Sequence, residues 1–169
     1  MPTHFFLHWR ASLVTLLVLA LAGTAHALDT LDNADWKESA VPDAPGFRTD
    51  QLLTLDMPTH ISLRFGIDPN TLTITPEGVV RYVVVATNSS GGVTAMFEGI
   101  RCTTGEVRVY ARTNGTQAWK MVKDAPWRSL YDTNPSRHAV MFARQGACDN
   151  GAPTSYSADG IIRAMKKRG

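Results

Sequence analysis

VVRYVVVATNSSGGVTAMFEGIRC, residues 79–102, decides the fold. Val79 to Asn88 is rich in β-branched residues, Ser89-Ser90-Gly91-Gly92 has turn chemistry, and Val93 to Cys102 returns, which predicts an antiparallel hairpin. A two-residue turn centred on Ser90-Gly91 sets Val83 across from Glu98, Val85 from Met96 and Arg81 from Ile100. That register gathers Val79, Arg81, Val83, Val85, Met96, Glu98, Ile100 and Cys102 on one face. Val80, Tyr82, Val84, Ala86, Ala95 and Phe97 take the other. Both faces are apolar, so the hairpin is expected at the centre of a sheet covered on each side. Arg81 and Glu98 become diagonal neighbours, and an ion pair is expected because burying either charge alone costs several kcal/mol.

Downstream, Thr103-Thr104-Gly105 turns the chain into Glu106 to Thr113. Asn114-Gly115 then signals a second tight hairpin, returning through Thr116 to Lys123 and placing Tyr110 opposite Trp119. The result is a four-stranded meander from Val79 to Lys123. Past Trp127 the period changes. Asn134-Pro135 opens a helix over about Ser136 to Gln145, with Ala139, Val140, Phe142 and Ala143 as its apolar stripe. Ser157 caps a second helix that buries Ile161, Ile162 and Met165 and ends in Lys166-Lys167-Arg168, cations suited to a helix C-terminus. Upstream, Gln51 to Met57 and Leu72-Thr73-Ile74 read as short strands, and Asp68-Pro69-Asn70-Thr71 as a turn. Residues 28–50, punctuated by Pro42 and Pro45, form an extended lead-in with Trp36 as its anchor.

The first 27 residues read as an export leader: Arg10, an apolar run from Ala11 to Ala22, and an Ala-x-Ala ending at Ala27. The run is shorter than the ~18 residues a spanning helix needs, so cleavage after Ala27 and a periplasmic or secreted product are expected. What remains, about 140 residues, suits one domain at 51–169. Outside the reducing cytosol the two cysteines, Cys102 and Cys148, are expected to pair. The fold class is therefore α+β: an antiparallel sheet of at least four strands, two C-terminal helices and one disulfide. The net charge of +2, with arginines scattered, gives no basic stripe for nucleic acid.

Gly78-Val79-Val80-Arg81-Tyr82-Val83, Phe97-Glu98-Gly99-Ile100-Arg101-Cys102, Tyr110-Ala111, Trp119, Trp127 and the late Cys148 resemble the cryptic neisserial protein family of small exported proteobacterial proteins. The resemblance spans roughly Trp36 to Met165. It implies a Gram-negative envelope location and supplies no catalytic residues.

Catalytic and metal motifs are missing. Three of the five histidines, His4, His8 and His26, lie in the leader, and a zinc site from His60, His138 and Asp68 has no ligand spacing behind it. No Gly-x-Ser-x-Gly or phosphate loop is present, and no cofactor is implied. The candidate binding residues are Arg81, Tyr82, Glu98, Arg101, Tyr110 and Trp119. Arg81 or Arg101 can hold a carboxylate or phosphate while Tyr82 or Tyr110 orients it. Trp36, Trp119 and Trp127 can form an aromatic platform for a sugar or peptide. Asn88-Ser89-Ser90 and Asn114-Gly115-Thr116 fit a glycosylation sequon but are more simply read as turn residues. The expected function is a non-catalytic envelope module that binds a protein, peptide or glycan. The alternatives are a small-ligand carrier with an enclosed pocket and a small hydrolase.

Overall fold

The computed structural model describes residues 35–115 and 117–168; the leader expected at 1–27 lies outside them. The strands are β1 (Leu53–Thr54), β2 (Arg64–Ile67), β3 (Thr73–Ile74), β4 (Val79–Thr87), β5 (Val93–Arg101), β6 (Glu106–Asn114), β7 (Lys120–Met121) and β8 (Arg128–Ser129). Among the described residues these eight form one antiparallel sheet in the order β1-β2-β4-β5-β6-β7. β3 shares β4's outer side with β2, and β8 shares β6's with β7. The meander through β4, β5, β6 and β7 is as expected. β2 was not anticipated: its RFGI offers only four residues and a glycine.

Two registers differ from the sequence reading. β4 and β5 pair Tyr82 with Glu98, Val83 with Phe97 and Arg81 with Gly99, one residue away from the expected alignment. The cause is the loop. The Asn88 N–H donates to the Gly92 carbonyl at 3.0 Å and the Gly91 N–H to the Asn88 carbonyl at 3.1 Å, which leaves a three-residue connection closed by Gly91 at φ +81°. The Asn88 side-chain oxygen holds this loop, accepting from the Ser90 and Gly92 amides at 3.1 and 2.7 Å. A one-residue slip sends every side chain of β5 to the other side relative to β4. Arg81 and Glu98 therefore lie on opposite faces, and the ion pair expected between them does not exist. The second correction concerns Tyr110 and Trp119. β6 and β7 pair Arg112 with Lys120 and Ala111 with Met121, so the Asn114-Gly115 turn belongs to a longer loop and Trp119 is not opposite Tyr110.

One face of the sheet carries Val80, Tyr82, Val84, Ile100 and Val107 and is covered by α1 (Arg137–Phe142) and α2 (Ala158–Arg168), through Ala139, Phe142, Ile161 and Met165. α1 is shorter than expected: after Phe142 it widens into a looser turn over Ala143–Ala147. Ser136, not Asn134, sits at its N-cap. Ser157 caps α2, accepting from the Gly160 amide at 3.2 Å. Asp68 to Thr71, expected as a plain turn, forms a single 3₁₀ turn capped by Asp68. The Cys102–Cys148 disulfide, across 46 positions, ties the end of β5 to the segment that leaves this turn, where β9 (Cys148–Asp149) and β10 (Ala152–Pro153) form a small hairpin.

The opposite face carries Val83, Val85, Ala95, Phe97, Tyr110 and Ala111. Its cover is an arm of irregular chain, residues 36–47, which packs Val41, Ala44 and Phe47 on it, with Leu52 alongside. The extra residue of β6 also enlarges this face. Glu98 pairs with Val109 and Phe97 with Ala111, so Tyr110 is a bulge residue added between them.

Candidate functional site

The six candidate residues divide between the two faces. Tyr82 and Glu98 lie under the helices. Glu98 has no exposed surface and accepts the Tyr82 hydroxyl at 2.8 Å. His138, from the first turn of α1, brings Nε2 to 3.0 Å from both carboxylate oxygens. The His138 ring stacks on Phe65 at 5.1 Å. Burial, followed by the adjacent Glu98 carboxylate, pushes the Tyr82 phenol well above its ordinary value of 10. Ser136 completes a Ser-His-Glu grouping that is not a catalytic triad. Its hydroxyl lies 3.1 Å from Nε2 and 3.4 Å from Nδ1, whereas a triad places hydroxyl and acid on opposite ring nitrogens. Here Glu98 already claims Nε2, and the cluster serves to tie α1 to the sheet.

On the arm face, Arg81, Arg108 and Tyr110 converge on Glu38. The Arg108 guanidinium donates to one oxygen at 2.9 Å. The other accepts from Arg81 at 3.2 Å and from the Tyr110 hydroxyl at 2.5 Å. Arg81 also donates to the backbone carbonyls of Ser39 at 2.8 Å and Ala40 at 3.2 Å. Gly99 makes this possible, because a Cβ there would stand 2.1 Å from the Tyr110 oxygen and 2.9 Å from Val79. Burial and then acceptance by Glu38 raise the Tyr110 phenol, and Arg81 only partly offsets them. Arg101 reaches Glu106 at 3.7 Å and lies over the Trp36 ring at 4.0 Å. Trp36 in turn meets Trp127 edge-on at 5.9 Å.

The arm is fastened at further points. The Ser39 amide donates to Glu77 at 2.8 Å, and the Arg48 amide donates to Asp68 at 2.7 Å. Burial pushes the Glu77 carboxyl up, but the Ser39 hydroxyl and amide, its own amide and the Thr75 hydroxyl outweigh it and bring it from 4.5 to about 2. The Trp119 indole donates to the Pro45 carbonyl at 3.0 Å and packs on Phe47 at 5.5 Å. These two rings, with Gly46, Thr49, Val93, Gly115 and Gln117, line an open cleft of about 440 Å³.

Sequence reasoning missed Glu38 and left His138 without a role. The flag it raised, an acid within an apolar strand, was sound, since Glu98 does need a buried partner. Nothing in sequence spacing points to a partner 40 positions away. Among the described residues no group of three His, Cys, Asp or Glu side chains can hold a metal, so His60, His138 and Asp68 do not assemble. No described helix is long and apolar enough to cross a membrane.

No curated protein and no solved structure matches the chain. A family model does match, over residues 31–166, which takes in the arm, the sheet, α1, all but the end of α2 and both cysteines. The chain belongs to the CNP1-like family, a family of unknown function.

Proposed function

We propose that this is an exported envelope protein, released from its leader after Ala27, that binds a protein, peptide or glycan without transforming it. The observation that carries the reading is the open cleft walled by Trp119 and Phe47. Two aromatic rings set edge to face beside small residues offer an apolar wall with polar groups at its rim, the chemistry by which sugars and peptide side chains are held. A small-ligand carrier needs an enclosed cavity, and this cleft is open. A hydrolase needs an activated nucleophile, and the Ser136 hydroxyl is not aligned for one. Export is supported by the Ala-x-Ala leader and agrees with the disulfide. The test is a pull-down from the native envelope with the chain beginning at Leu28, alongside Trp119→Ala. A partner retained by the first and lost by the second supports the reading, and equal capture by both overturns the cleft. N-terminal sequencing of the exported product should begin at Leu28.

A further inference from the structure

We infer that the sheet face beneath residues 36–47 is a receptor for an extended, proline-containing acidic peptide, and that the chain's own arm occupies it in cis. This rests on the binding-module reading but places the ligand on the face that the arm covers, since the Gly46 and Phe47 wall of the open cleft belongs to the arm itself.

Three observations carry it. First, the arm is held the way a ligand is held. Among the described residues no backbone–backbone hydrogen bond joins residues 36–47 to a strand. Receptor side chains read the arm instead: Arg81 takes the Ser39 and Ala40 carbonyls, Trp119 the Pro45 carbonyl, and Glu77 the Ser39 amide. Pro42 and Pro45 suit this mode, because a polyproline-like segment leaves its backbone groups free for an outside partner. Second, the carboxylate pocket is built and under-filled. Arg81, whose side chain is 6% exposed, Arg108 and Tyr110 all serve one carboxylate. Among the described residues, the buried Nε atoms of both arginines have no hydrogen-bond partner. The pocket thus holds two guanidinium charges against the single charge of Glu38, a surplus that suits a ligand richer in acceptors. Third, the arm can leave without unpairing a strand, since the first ladder residue is Leu53. The apolar face it exposes then needs a replacement cover, which favours exchange for a similar peptide over simple opening.

A tethered ligand competes at an effective concentration in the millimolar range, so the test weakens it. Full-length wild-type and Glu38→Gln chains are titrated with a labelled synthetic peptide of the 36–48 sequence and with the same peptide carrying Gln at position 38. The expected result is binding of the acidic peptide to Glu38→Gln at least tenfold tighter than to wild type, with the Gln peptide at least tenfold weaker. Equal affinity of both peptides for a folded Glu38→Gln chain overturns the inference, as does a peptide-free dimer of that chain, which would make a second copy's arm the occupant. Should the variant not fold, the wild-type chain decides. Excess acidic peptide must accelerate hydrogen exchange at the Ser39 and Arg48 amides, and unchanged exchange overturns the inference. Partner capture that depends on Trp119, with neither peptide bound, would leave the binding module standing and remove this receptor.

Discussion

The two faces of the central sheet are covered by different means. Under the helices, the cover is α1 and α2, a continuous apolar core and a disulfide, and the buried Glu98 meets a phenol and an imidazole. Beneath the arm, the cover is a single irregular segment held mainly by side-chain contacts, and its central polar group is Glu38 between the buried Arg81 and the partly exposed Arg108. The first cover completes the fold, whereas the second resembles a bound peptide that happens to be part of the chain.

Removing one partner from each polar cluster is the sharpest way to break that contrast. His138→Leu strands the wholly buried Glu98 and is expected to lower unfolding stability by about 3 to 5 kcal/mol, with much of the loss recovered in the double variant Glu98→Met, His138→Leu. Denaturant unfolding measures both. Replacing Cys102 and Cys148 with Ser frees a loop of 46 positions. By the chain-entropy argument this costs at most about 4 kcal/mol. The thermal midpoint should fall markedly while exchange at the Ser39 amide stays as before. Glu38→Gln should cost less, about 1 to 3 kcal/mol, because Arg108 reaches water. If it costs as much as His138→Leu, the arm is as integral as the helices and the contrast fails. Gly99→Ala is expected to cost a similar 1 to 3 kcal/mol by forcing the Tyr110 hydroxyl off Glu38, read as unfolding stability together with faster exchange along the arm.

The smallest effect is a pH dependence confined to the arm. Glu77 is depressed to about 2 when folded, against a carboxylate value near 4.3 when unfolded. Its clamp on Ser39 is therefore complete above about pH 4.3 and is lost as the pH falls toward 2. The Ser39 amide should lose protection in that window. Ser39→Ala, which removes the hydroxyl contact, should move the loss to higher pH. Glu77 is only partly buried and fastens one segment of the arm, so global stability should change little.

Much of the architecture was legible because it rests on local signals. β-branched runs mark β4 and β5, the Ser157 cap and its apolar period mark α2, and two cysteines in a chain expected to leave the reducing cytosol mark the disulfide. The candidate site was half legible. Arg81, Tyr110 and Glu98 stand out in the sequence as charged or polar groups on core strands, but a two-residue loop puts Arg81 and Glu98 on one face, and the three-residue loop separates them. Glu38 carries no local signal at all, since it sits in a polar, non-periodic segment and acquires its role only when that segment lies across the sheet. Trp119 was placed opposite Tyr110 by the strength of Asn114-Gly115 as a hairpin signal, and the longer loop carried it to Phe47 instead.

The loop at Ser89–Gly91 is exposed, and a side chain at Gly91 would meet nothing within 4 Å. By the usual rule such a tip accepts insertions freely. Here the tip can lengthen without moving the strands, because the pairing of β4 with β5 is set by which side chains must be buried. A slip of one residue would carry Glu98 from His138 toward Glu38 and set two carboxylates where one is held. Added residues should therefore collect in the loop, and any number of them, odd or even, should leave Tyr82 opposite Glu98.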